Sequence, residues 1–145
     1  MSKQPLEDRE YVVRGLYFDE YDAEQGRVSS RAFGGKDTSV NRREIYPWEK
    51  IWYFLRKNQR PPSRILYKGL GITVGKLKQI GLAFTVPGHG GAPKADPRII
   101  EVFPDPYTDK VDGEVNESHA YIEGKLPPTM AIEQIPPACV WHDPP

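Results

Sequence analysis

Cysteine is almost missing from this chain. Cys139 stands alone, so no disulfide can form within it. A lone thiol and the lack of a recognisable leader point to the cytoplasm as the expected compartment. Histidine is scarce too, at three residues. Structural zinc sites take four ligands, usually in two short pairs. Cys139-x-x-His142 supplies one pair and no second pair exists, so neither a metal nor any other cofactor is expected. No apolar run approaches the roughly 18 residues that span a membrane, so no membrane partner is expected.

Catalytic signatures are absent as well. No G-x-S-x-G, H-E-x-x-H or kinase pattern occurs. GLGITVGK at 69–76 misses the phosphate-loop spacing, and Leu77 stands where that motif needs Ser or Thr. No repeat of long period is found.

Net charge is zero over 145 residues, but the charges are segregated. Residues 1–26 carry a net −4, residues 27–78 a net +10 and residues 79–145 a net −6. Blocks of this size bear on partners more than on fold. Either the basic middle is an outward surface for nucleic acid or an acidic protein, or the acidic ends fold back onto it.

The strongest element is PWEKIWYFLRKNQR, residues 47–60. Pro47 suits a first helical position. Trp48, Ile51, Trp52 and Leu55 recur at i, i+3, i+4 and i+7, which defines an apolar face, and Pro61-Pro62 stops the helix. Tyr11–Phe18 reads as a strand that Arg14 and Gly15 interrupt, the glycine marking a bulge or a close backbone approach. Residues 39–43 have weak strand character. Gly69–Ile72 reads as a turn. Thr73 should cap a helix through Ile80 that Gly81 ends, and a strand follows at 82–86. Residues 87–97 and 104–116 read as loops, and 98–103 as a strand. Ser118–Glu123 is a last strand, with Ala120 and Ile122 on one face and His119 and Tyr121 on the other.

The expected class is α+β: a small single domain with a short antiparallel or mixed sheet and two or three helices over residues 1–126. Residues 127–145 hold six prolines and several large apolar groups. They read as a proline-rich extended arm without regular structure, packed on this domain or docked on a protein partner.

Three functional readings follow. The first is a non-enzymatic binding module whose basic surface contacts nucleic acid or an acidic protein, within a larger assembly. Its contact residues would be Arg42, Arg43, Arg56, Lys57, Arg60, Arg64, Lys68, Lys76 and Lys78, with Tyr53 as a stacking aromatic. Trp48 and Trp52 belong to the core in this reading. The second is a small metal-independent ribonuclease or nucleotide-modifying enzyme. It would use His119 as acid or base, Tyr121 beside it, and Arg14 or Arg42 to stabilise a phosphate. A related site for ADP-ribosyl transfer would draw on Arg14, Gly15, Ser39, Asn41 and Glu123, too scattered to define a family. The third is an inhibitor or structural module that pairs with another protein through its charge blocks.

Overall fold

The computed structural model describes residues 3–145. Its elements in chain order are β1 (Tyr11–Tyr17), β2 (Tyr21–Asp22), β3 (Arg27–Val28), β4 (Thr38–Arg42), α1 (Trp48–Lys57), β5 (Leu66–Thr73), α2 (Val74–Leu82), β6 (Thr85–Pro87) and β7 (Pro93–Ala95). There follow β8 (Val102–Pro104), β9 (Tyr107–Thr108), β10 (Val115–Asn116), β11 (His119–Ile122), α3 (Ile135–Ala138) and β12 (Val140–His142). Six strands form one antiparallel sheet in the order β12-β5-β1-β4-β11-β8. The pairs β2–β3, β6–β7 and β9–β10 are separate small hairpins. The class is therefore α+β.

Each face of the sheet carries its own core. Val12, Leu16, Val40, Leu70, Ile72, Ala120 and Ile122 point to one side, where α2 and the C-terminal segment cover them. Val13, Tyr17 and Leu66 point to the other, under Ile51, Trp52 and Leu55 of α1. The i, i+3, i+4, i+7 pattern thus presses on the sheet, with Trp48 packed at its margin and stacked on Trp52. Pro47 sits one position ahead of the helix, its carbonyl accepting from the Lys50 and Ile51 amides. Phe54 is buried as well, off that face, stacked on Tyr46.

Several local expectations need correction. Residues 66–73 are the longest strand, not a turn leading to a helix. Its Gly69 and Gly71 serve close packing: a Cβ on Gly69 would lie 2.8 Å from the Trp52 ring, and one on Gly71 would strike Tyr11. Thr73 does cap α2, its Oγ1 accepting from the Lys76 amide at 3.1 Å. Gly81 lies inside that helix, where a Cβ would meet the Arg98 carbonyl at 2.4 Å. Strand 82–86 is instead Thr85–Pro87, paired inside the stretch read as loop. Strand 98–103 is instead Val102–Pro104.

Residues 127–145 are not an extended arm. Met130–Gln134 and Ile135–Ala138 are helical, and Val140–His142 adds an edge strand to β5. Met130, Ala131, Ile135 and Cys139 belong to the main core. Pro136 and Pro137 stand in the first turn of α3, directly after a wider helical turn that ends with the Ile135 amide bonded to the Met130 carbonyl. Among the described residues no helix is long and apolar enough to cross a membrane.

Burial pushes the Cys139 thiol up to about 12, because a thiolate loses its hydration there. Native protein at pH 8 should resist alkylation by iodoacetamide, and urea-unfolded protein should react fully. Rapid labelling of the folded chain would show that this part of the core opens readily.

Candidate functional site

β1 and β4 pair only at Val12–Arg42 and Val13–Asn41. Beyond that point no register joins them, although β1 stays paired with β5. Arg14 fills the gap. Its Nε donates to the Ala32 carbonyl at 2.8 Å and its Nη1 to the Ser39 carbonyl at 3.1 Å. The Nη2 group lies 3.8 Å from Glu20 Oε2, beyond hydrogen-bond distance, so donors remain for a ligand. Burial lowers the guanidinium from its usual value, and the Glu20 carboxylate opposes that shift.

Glu20 is almost fully buried. Its Oε1 accepts from the Tyr17 amide, and its Oε2 also lies 3.8 Å from Arg64 Nη1. A carboxylate taken out of water needs such partners. Arg64 lies over the Tyr17 ring at 4.1 Å, and the Tyr17 hydroxyl donates to the Leu55 carbonyl at 2.6 Å. This ties the C-terminal end of α1 to the sheet.

Between α1, the splayed strands and the β9–β10 hairpin lies a cleft of about 210 Å³. Arg14, Ser39, Asn41, Arg64 and His119 all line it. Gly15 lines it too, and a Cβ there would come within 3.0 Å of Leu55 and 3.1 Å of the Tyr17 hydroxyl. The glycine keeps this end of the cleft open.

His119 Nδ1 lies 2.7 Å from the Asp105 carbonyl oxygen. A carbonyl only accepts, so Nδ1 carries the proton and the neutral ring keeps its lone pair on Nε2. A proton acceptor held in this way is suited to general-base work. Tyr107, half-exposed, tilts against the imidazole with ring centroids 5.8 Å apart.

The hairpin is latched to α1. Lys57 Nζ donates to Asp112 Oδ2 at 2.8 Å and to Glu114 Oε1 at 2.7 Å, with Asp109 at 3.6 Å. Tyr53 donates to the same Glu114 oxygen at 2.7 Å. The bond from Lys57 is the main cause holding Asp112 and Glu114 below the usual carboxylate range, while Lys57 itself is raised.

The residues expected on a basic surface take varied places. Arg42 makes a bidentate pair with buried Glu10, at 2.8 and 2.9 Å. Lys57 sits in the hairpin latch, Arg64 faces Asp19 and Glu20, Lys68 pairs with Asp143, and Lys78 with Asp8. Arg43 lies over Trp48 and donates to the Tyr46 carbonyl. Arg56 and Arg60 bond to main-chain carbonyls, and Lys76 is exposed. Carboxylates from both acidic ends therefore meet five of these nine cations.

Of the residues expected for catalysis, the fold brings Arg14 and His119 into one cleft. Tyr121 stands outside it, stacked on Phe103 with Lys3 over its ring. Ser39 and Asn41 line the cleft and Glu123 does not. Asn116, Ser118 and Tyr107 were not singled out from the sequence. Cys139 and His142 point apart: the thiol is in the core, and His142 Nε2 meets the Tyr11 hydroxyl at 2.7 Å beside Trp48. Among the described residues no three His, Cys, Asp or Glu side chains group as metal ligands.

These features define an α+β domain with a polar cleft that pairs a main-chain-anchored guanidinium with an oriented imidazole. Compared with models of known families, with curated proteins and with solved structures, the chain matches none.

The latch is a set of partly exposed ion pairs, so each bond is individually weak. Lowered carboxylate pKa values give stabilisation that is present above the ordinary carboxylate range and lost as pH falls through the lowered values. Lys57→Met should speed amide exchange across residues 107–116 at neutral pH and leave β1 and β5 protected. Acidification of the parent below the usual carboxylate range should lower the protection factors of the same amides, each measured against its intrinsic exchange rate at that pH. Unchanged exchange in the variant would show that the hairpin is held by other contacts.

Proposed function

We propose that this chain is a small enzyme of RNA or nucleotide chemistry, acting in the cleft beside α1. The observation that carries this reading is the meeting of Arg14 and His119 there, each held by main-chain carbonyls. Arg14 and Arg64 would hold phosphoryl oxygens, and their charge favours the transition state of phosphoryl chemistry. His119 Nε2 would accept the proton of the attacking hydroxyl or water. Tyr107 offers an exposed ring at the mouth for a base, a sequence-tolerant contact. The single buried thiol suits a reducing compartment such as the cytoplasm.

Binding of a polynucleotide without turnover is the second reading. Arg56 and Arg60, near the end of α1, are met by main-chain oxygens and not by Asp or Glu side chains. A strand leaving the cleft would pass them.

His119→Ala should lower turnover of RNA oligonucleotides or ribonucleotides by about 10²- to 10⁴-fold, with thermal unfolding unchanged. Full residual activity in that variant would exclude His119. A parent that binds RNA and never turns it over would favour the second reading.

A further inference from the structure

The floor of the cleft contains a chain of amides whose orientations can be deduced one from the next. The Ser118 main-chain N–H lies 3.0 Å from one terminal atom of the Asn116 side chain. An N–H only donates, so that atom is the carboxamide oxygen. Asn116 Nδ2 therefore points away from Ser118 and donates to Asn41 at 2.8 Å. The receiving atom must be Asn41 Oδ1. Ser118 Oγ lies 3.1 Å from that oxygen and 2.7 Å from Asn116 Oδ1, so both acceptors share its one proton.

Asn41 Nδ2 is thereby turned out of the network. Asn41 is only 7% exposed and lines the cleft. Among the described residues its Nδ2 meets no hydrogen-bond acceptor. Among the described residues the one sealed side-chain donor without a partner is Arg43 Nε, so Asn41 Nδ2 is open to the cleft and its donors are free for a ligand. Arg14, which lines the same cleft as Arg64 does, also keeps a donor group without a hydrogen-bonded acceptor, its Nη2 lying 3.8 Å from Glu20 Oε2.

We propose that Asn41 Nδ2 is a ligand-binding donor that, together with Arg14, selects a phosphoryl oxygen in the cleft. Asn116 and Ser118 are positioning residues that turn the Asn41 amide outward. The assignment rests on the nucleotide reading above and adds the group that recognises the substrate. It also gives Asn41 a role different from packing, because an aspartate of the same shape reverses its chemistry. In Asn41→Asp the new carboxylate would still accept from Asn116 Nδ2, but its second oxygen would present negative charge to the ligand. Asn116→Asp would place an oxygen against Asn41 Oδ1. Asn41 would then rotate its amide inward and its oxygen toward the cleft.

The test is an NMR titration of the full chain with inorganic phosphate and the four 5′-ribonucleotides. The parent should bind saturably. Asn41→Asp and Asn116→Asp should each weaken binding about tenfold or more at an unchanged melting temperature. Equal affinity in a folded Asn41→Asp variant overturns the assignment. If that variant does not fold, the Asn41 side-chain amide resonances of the parent decide. A shift on adding ligand supports the assignment, and no shift overturns it. His119→Ala separates the two claims, since it should remove turnover and keep binding. Loss of turnover in His119→Ala beside unweakened binding in Asn41→Asp sinks only the Asn41 assignment. Weakened binding in Asn41→Asp beside full turnover in His119→Ala sinks only the catalytic reading. A parent that binds none of these probes overturns both.

Discussion

A guanidinium lodged in the split between two strands is the constraint on which this structure depends. Arg14 belongs to β1, whose neighbours on both sides are sheet strands. Beyond Val13 and Asn41, β4 leaves β1, and the guanidinium takes up main-chain acceptors from β4 and from the turn at residues 30–32 before it. A cation placed this deep needs counter-charge and oriented dipoles. The short helical turn after β1 supplies Glu20, and the Ala32 and Ser39 carbonyls supply the dipoles. Arg64 shares Glu20 and caps Tyr17, which reaches Leu55 on α1. The same split that demands these partners also opens the cleft.

Charge segregation along the chain resolves in three dimensions as cross-bracing. Glu10 from the N-terminal block grips Arg42, and Asp8 meets Lys78. From the C-terminal block, Asp112 and Glu114 close on Lys57, and Asp143 on Lys68. Apart from the buried Glu10–Arg42 pair, these lie at or near the surface and contribute little stability each. Their larger effect is to reduce the positive field over the middle third, so that attraction for an anion concentrates where a cation keeps free donors. Arg14, with Glu20 as counter-charge but with Nη2 lacking a hydrogen-bonded acceptor, is one such place.

Elements whose stability is local were legible in the sequence. The apolar stripe of α1, the Thr73 cap and the alternation of His119, Ala120, Tyr121 and Ile122 all rest on near neighbours. What was missed depends on distant ones. Gly69 and Gly71 resemble turn residues until Trp52 and Tyr11 are seen lying on them. The prolines of the last nineteen residues suggest an irregular tail until Met130 and Ile135 are found in the core. At the site, His119 and Arg14 could be named because imidazole and guanidinium advertise their chemistry. Asn41 stood out only as part of a scattered set, and Asn116 and Ser118 not at all. The bonds that orient Asn41 span 75 and 77 residues, a separation no local pattern reveals.

The central claim is that the binding chemistry of this chain lies in the cleft beside Arg14 and not on its outer basic surface. Locating a bound ribonucleotide in a crystal of the complex tests this most directly. The account predicts electron density for the phosphate against Arg14, with the ligand between α1 and the β9–β10 hairpin. Density on the outside of the molecule, along Arg56, Arg60 and Lys76 with the cleft empty, would contradict it.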